Sequence, residues 1–163
     1  MTLYPLTMDF TASRTEYSFW ALWSAPMLVA TDVRYMSHDM RTILTNKEVI
    51  AINQDESATS AERLRNDTSG VHVWARPLAN GDKAIVLFNA NLEGRLAVNA
   101  SVAWAELGWP AGASVRVRDL WANEDLGARV GGFSAASLQP RDIKFLRLKL
   151  EVEELEARDS AES

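Results

Sequence analysis

Residues 16–55, EYSFWALWSAPMLVATDVRYMSHDMRTILTNKEVIAINQD, carry the reading on which the fold turns. Tyr17, Phe19, Trp20, Leu22 and Trp23 leave no polar stripe, so a helix here is apolar nearly all round and belongs inside a larger body. Pro26 stops it, because proline cannot continue a helix and restrains the residue before it. Met27-Leu28-Val29-Ala30 is a short continuous apolar run, the pattern of a strand covered on both faces. Thr31, Asp32 and Arg34 follow at its C-terminal end, the end at which parallel α/β architectures place their chemistry. Ser37 is suited to cap the next helix, which carries Met40, Ile43 and Leu44 at helical spacing.

Outward from this stretch the pattern changes. Residues 1–15, MTLYPLTMDFTASRT, show no clear period. Residues 53–69 are polar and small apart from Leu64, which predicts a linker over 58–69. From Gly70 the period is two: Val71, Val73 and Ala75 alternate with His72, Trp74 and Arg76. Asn80-Gly81 marks a hairpin, since both residues tolerate positive φ. KAIVLFN, at 83–89, reads as a buried strand, and Leu96, Val98 and Ala100 alternate again. AWAELGWPAG is a turn that Gly108 and Pro110 limit to one helical turn. Val115 and Val117 lead into Asp119-Leu120-Trp121, and Gly127–Phe133 forms a strand broken at Gly131-Gly132. In the last strand, 143–150, Leu146, Leu148 and Leu150 share a face while Ile143 and Phe145 lie on the other, which calls for a bulge or burial on both sides. Short strands at this spacing predict an antiparallel sandwich over 70–150, with Val73, Ile85, Leu87, Val98, Val117, Phe145 and Leu148 in its core. Residues 151–163, with six acids and one arginine, form an acidic tail.

Composition bounds the function. The 163 residues include six tryptophans, and 47% are hydrophobic, enough for a substantial core. A net charge of −5 argues against nucleic acid or an anionic membrane as partner. With no cysteine there is neither disulfide nor thiolate metal site. The N-terminus has no signal-peptide pattern and no stretch approaches a membrane span, so the compartment stays open.

The stretches SFWALWSAP, TDVR and NKEVIAINQD, then VWARPLANGDKAIVLFN, VRDLWANEDLG and QPRDIKFLRL, occur in the order of one family. Over residues 15–150 the chain resembles glycoside hydrolase family 27, the α-galactosidases and α-N-acetylgalactosaminidases. The resemblance implies a mixed α and β fold. Residues 1–57 would be the last β/α unit of a (β/α)8 barrel, and 70–150 a C-terminal antiparallel β-sandwich of Greek-key type. Met1-Thr2 resembles the end of a Gly-Met-Thr segment of the family, so YPLTMDFTASR departs from the pattern and the chain would start inside the barrel.

The implied activity is removal of terminal α-galactosyl groups with retention, the substrate of the intact parent being an α-galactoside. Family members are often secreted, lysosomal or vacuolar. A retaining glycosidase needs a nucleophilic carboxylate and an acid/base carboxylate. The family motifs that carry them are absent here, so no catalytic residue is carried over. Asp32, at the mouth of the expected strand, is the one substrate-binding candidate; its plainer role is to cap a loop or pair with Arg34. Asp55 with Asn53 and Gln54 lacks a ligand spacing, so no metal or other cofactor is expected. His38 and His72 read as exposed polar residues. Trp74, Trp109 and Trp121 could offer a sugar platform, although tryptophans in a sandwich usually pack.

Two further readings compete: a non-catalytic sugar-binding or structural β-module, and an inactive product of a truncated gene. Either way, one helix–strand–helix unit cannot close a barrel. The remnant is therefore expected to expose apolar surface around Phe19, Trp20, Trp23 and Leu28, and to self-associate through it.

Overall fold

The computed structural model describes residues 8–30, 32–92 and 96–151. The expectations for residues 1–7 and for the tail beyond Glu151 lie outside the described residues.

Among the described residues three helices come first: α1 (Phe10–Leu22), α2 (His38–Leu44) and α3 (Lys47–Asn53), with a 3-10 turn at Val33–Tyr35. Eight strands follow: β1 (Glu62–Asn66), β2 (Val71–Pro77), β3 (Lys83–Asn89), β4 (Val98–Ala103), β5 (Ser114–Asp119), β6 (Glu124–Val130), β7 (Gly132–Leu138) and β8 (Ile143–Glu151). Six of them form one antiparallel sheet in the order β1-β2-β3-β8-β5-β6, and β4 pairs with β7 in a second sheet. The larger sheet is the middle of three layers. Its one face packs on β4–β7 through Val73, Ile85, Leu87, Val102, Trp104, Val117 and Leu148. Its other face packs on the helices through Val86, Ile143 and Phe145 against Tyr17, Leu22, Ile43, Val49 and Ile52.

This arrangement explains β8. It runs without a bulge, paired to β3 and β5 on its two edges. Ile143 and Phe145 face the helices while Leu146 and Leu148 face the second sheet, so both parities are apolar because both faces are covered. Of the expected core, Val98 alone is half-buried rather than buried. The AWAELGWPAG stretch forms a 3-10 turn at Trp104–Leu107 that ends at Gly108, φ 76°.

Four expectations need correction. The first helix begins at Phe10, within the stretch that shows no period. Asp9 caps it by accepting from Ala12 N at 2.7 Å. Its first half buries Ser13 and Thr15 rather than large apolar residues, and the Thr15 hydroxyl donates to the Arg141 carbonyl. Small polar residues that bury by bonding backbone carbonyls leave no hydrophobic period to read.

Met27–Ala30 joins neither sheet among the described residues, and Leu28 N donates to the Pro26 carbonyl at 3.2 Å. A parallel strand takes its hydrogen bonds from a neighbouring strand, and neither sheet extends to this segment among the described residues.

The expected linker over 58–69 contains β1, an antiparallel edge strand. Edge pairing needs only the backbone, so ERLRN can do it while its side chains stay mostly exposed.

The single broken strand over 127–133 is two strands in different sheets. Gly131, φ 83°, turns the chain from β6 to β7, and Gly132 sits where a Cβ would lie 2.4 Å from the Val102 carbonyl oxygen.

Among the described residues no helix is long and apolar enough to cross a membrane.

Candidate functional site

Asp32 caps the 3-10 turn. Its Oδ1 accepts from Arg34 N at 3.0 Å, and its Oδ2 from Arg34 Nη2 at 2.6 Å. The Arg34 side chain holds the Asp32 carboxyl below its ordinary pKa, with the Arg34 amide adding to the effect. Both residues are exposed. The surrounding surface is apolar: Trp23, Leu28, Val29, Val33 and Tyr35 are exposed, Tyr35 at 83%. Phe19 and Trp20, by contrast, are half-buried.

Asp55 braces a loop. Its Oδ1 accepts from Ser57 N and from Ala79 N, at 3.1 and 3.0 Å. Burial raises its pKa, but these bonds and the charge of Arg76 outweigh burial and leave it lowered. Asn53, buried, donates from Nδ2 to the Ala25 carbonyl at 2.8 Å and to the Trp20 carbonyl at 3.3 Å.

Arg76 is fully buried on the helix side of β2. Its Nη1 donates to the Ile52 carbonyl at 2.7 Å and to the Ala21 carbonyl at 3.2 Å. Burial lowers its pKa, and Asp55 opposes that effect. A cation at a helix C-terminus meets the negative end of the dipole, and Arg76 adds a further donor to one carbonyl in the last turn of each of α1 and α3. Neither Arg76 nor Asn53 was singled out as a site residue by the sequence reading. The available signal was parity: Arg76 shares the helix-facing side of β2 with Trp74.

The three tryptophans do not make one platform. Trp109 packs against Trp104 in the inter-sheet core. Trp74 and Trp121 lie on the helix side. Trp74 meets Phe19 and Trp23 edge-on at 5.7 and 5.6 Å. Trp121 donates its Nε1 to the Ser18 hydroxyl at 2.9 Å. Of the histidines, His38 is exposed as expected; His72 is half-buried against Phe88 at 5.9 Å.

A cleft of about 370 Å³ between α1, β7 and β8 brings two carboxylates together, Asp119 and Asp142. Both are engaged. Asp119 accepts from the Trp121 and Ala122 amides and from Lys144 Nζ at 2.6 Å. Asp142 pairs with Arg14. Elsewhere Glu48 binds Arg118 and Asp82 binds Arg147 at 2.7 Å, tying helices and loops to the sheet. These acids hold the architecture together rather than presenting a free acid and nucleophile to a sugar.

An antiparallel sandwich whose larger sheet is backed by helices defines a sandwich-bearing mixed α and β protein. Two family models match in that order: Alpha galactosidase A over residues 4–55 and the Alpha galactosidase C-terminal beta sandwich domain over 68–148. The chain belongs to glycoside hydrolase family 27 and corresponds to the C-terminal portion of that family.

An α-galactosidase of Oryza sativa subsp. japonica is 40% identical over 134 residues, 81% of this chain and 30% of the relative. One of Cyamopsis tetragonoloba is 36% identical over 122 residues, 75% of this chain and 29% of the relative. The crystal structure of α-galactosidase I from Mortierella vinacea superposes with a TM-score of 0.81 at 26% identity, over 90% of this chain and 38% of that one. The chain therefore spans about 30% of the length of the curated relatives it matches.

Proposed function

We propose that this chain is the C-terminal part of a retaining glycoside hydrolase that removes terminal α-galactosyl groups from an α-galactoside, and that by itself it does not catalyse the reaction. The first half of the proposal is supported by the α-galactosidase relatives, which match 81% and 75% of this chain. The observation that carries the second half is the state of the carboxylates: Asp32, Asp119 and Asp142 are each engaged by a cation, so none is free to act. A mechanism that needs two carboxylates loses most of its rate when either is missing.

In this reading residues 1–57 belong to the barrel and 70–150 to the sandwich. Asp32 is then the residue of this chain nearest to sugar, at the mouth of the strand that Met27–Ala30 would form. The same commitment of the acids favours, for the isolated chain, a structural or carbohydrate-binding module. The exposed face from Trp23 to Tyr35 is the surface through which copies of the isolated chain would associate.

The test is hydrolysis of an aryl α-galactoside by the purified chain and by Asp32→Ala. Both are expected at background. Turnover by the first that vanishes in the second would overturn the proposal. As a positive control, joining the chain to the upstream two-thirds of the rice enzyme should yield turnover, and Asp32→Ala should lower it.

A further inference from the structure

Two of the stretches that carry the family resemblance, KEVIAINQD and VWARPL, hold the buried Asn53 and Arg76. The structure brings them to one point. Asn53 closes the first and Arg76 lies in the second, and both act on the last turn of α1.

That turn has an unusual ending. Ser24 N donates to the Ala21 carbonyl and Ala25 N to the Trp20 carbonyl, the paired bonds of a Schellman cap. The left-handed position of such a cap is normally glycine. Here it is Ser24, at φ 55°. A residue with a Cβ is strained in that conformation and persists there only when its surroundings hold it. The surroundings are visible. The Ser24 hydroxyl donates to the Asn53 carbonyl at 3.3 Å. The Asn53 amide reaches forward to the Ala25 carbonyl, past the end of the helix. Arg76 holds the Ala21 carbonyl and, through Ile52, the end of α3. The direction in which the chain leaves α1 is thus set from the sandwich, through a buried cation, rather than by the helix alone.

We propose that Arg76, Asn53 and Ser24 are positioning residues: they fix the exit of the chain from α1 and thereby the placement of the segment that carries Asp32. This rests on the reading of Met27–Ala30 as the last barrel strand. It assigns the sandwich a part in the reaction, because small displacements of a mouth residue cost rate steeply. Arg76 and Asn53 touch no reacting atom and act only through that segment.

The chain has no cysteine, so Val33→Cys with Lys149→Cys offers two unique attachment points for spin labels, both at exposed residues. The distance distribution between them reports how firmly the segment is held relative to the sheet. In the otherwise unaltered chain it should be a single narrow peak. Ser24→Gly, Asn53→Leu and Arg76→Lys should each broaden it, and exchange of the Ser24 and Ala25 amides should rise about tenfold for the loss of one net hydrogen bond.

Ser24→Gly is the decisive arm. If Ser24 only ends the helix, glycine relieves strain, exchange slows and the peak keeps its width. That result, or unchanged widths in all three variants, overturns the proposal. Arg76→Lys and Ser24→Gly both retain folding if Asn53→Leu does not. No arm uses turnover, so failure here is distinct from failure of the α-galactosidase reading.

Discussion

Arg76 Nη1 lies 2.7 Å from the carbonyl oxygen of Ile52, a bond between a sheet strand and the last turn of a helix. It ties the helices to the sandwich alongside their shared apolar core, because a guanidinium withdrawn from these carbonyls would lose the bonds that hold its charge in a buried site.

Arg76→Met should therefore be costly. It removes two charge-assisted bonds while the Ala21 and Ile52 carbonyls keep their backbone donors, a loss of about 1.5–3 kcal/mol on typical values for hydrogen bonds to a charged group. The urea midpoint should fall with the slope unchanged. A variant as stable as the parent chain would show that the bond is incidental.

Gly132→Ala tests the seam between the sheets. Gly132 has no left-handed φ, so only space matters; the added methyl would meet the Val102 carbonyl oxygen at 2.4 Å and the Ala103 Cα at 3.1 Å. Both are backbone atoms of β4, which cannot swing aside like a side chain. A loss of about 1–3 kcal/mol is expected from overpacking, read as a lower thermal midpoint. Unchanged stability would mean that the β4–β7 pair is looser than the register implies.

The face from Trp23 to Tyr35 predicts behaviour in solution. Val29 and Val33 are 48% and 62% exposed, beside Trp23 and Tyr35. The isolated chain should bind a hydrophobic dye and sediment above monomer mass. Val29→Lys with Val33→Lys should reduce both signals while changing stability by no more than about 0.5 kcal/mol, as for other exposed positions. A monomeric, dye-silent parent chain would remove the basis for this expectation.

His72 gives a pH dependence with a definite sign. Burial, and then the charge of Arg63, hold its pKa below the ordinary 6.5; Asp67 opposes them. The folded chain then binds fewer protons at this site than the unfolded chain. Its contribution is fully present above the unfolded value and is lost as pH falls through the window below it. Urea midpoints taken between about pH 7.5 and about pH 5 should fall more steeply for the parent chain than for His72→Gln. Parallel curves would show that His72 does not titrate differently in the two states.

Much of the sandwich was legible in advance. Ile85, Leu87, Val117 and Leu148 are buried as period-two patterning requires, because a strand's inward face depends only on the residues that alternate along it. Ser37 caps α2 as its chemistry predicts, accepting from Met40 N at 3.1 Å. The misses have a common cause. β1 pairs through backbone, the start of α1 buries Thr15, whose hydroxyl bonds a carbonyl, and Met27–Ala30 joins neither sheet among the described residues. Asp32 was legible as a polar residue after an apolar run, and so was its pairing with Arg34, since both lie within one turn.

The sequence by itself determined the family, the strand-forming stretches of the sandwich and the apolar character of the helix that precedes it. Those properties are local, or repeat along the chain at a fixed period. Only the tertiary structure decided that Gly131 separates two sheets, that Asp119 and Asp142 share a cleft in which both are engaged, and that Arg76 holds the ends of two helices. The carbonyls it holds lie 24 and 55 residues away, and a backbone carbonyl looks the same at every position in a sequence.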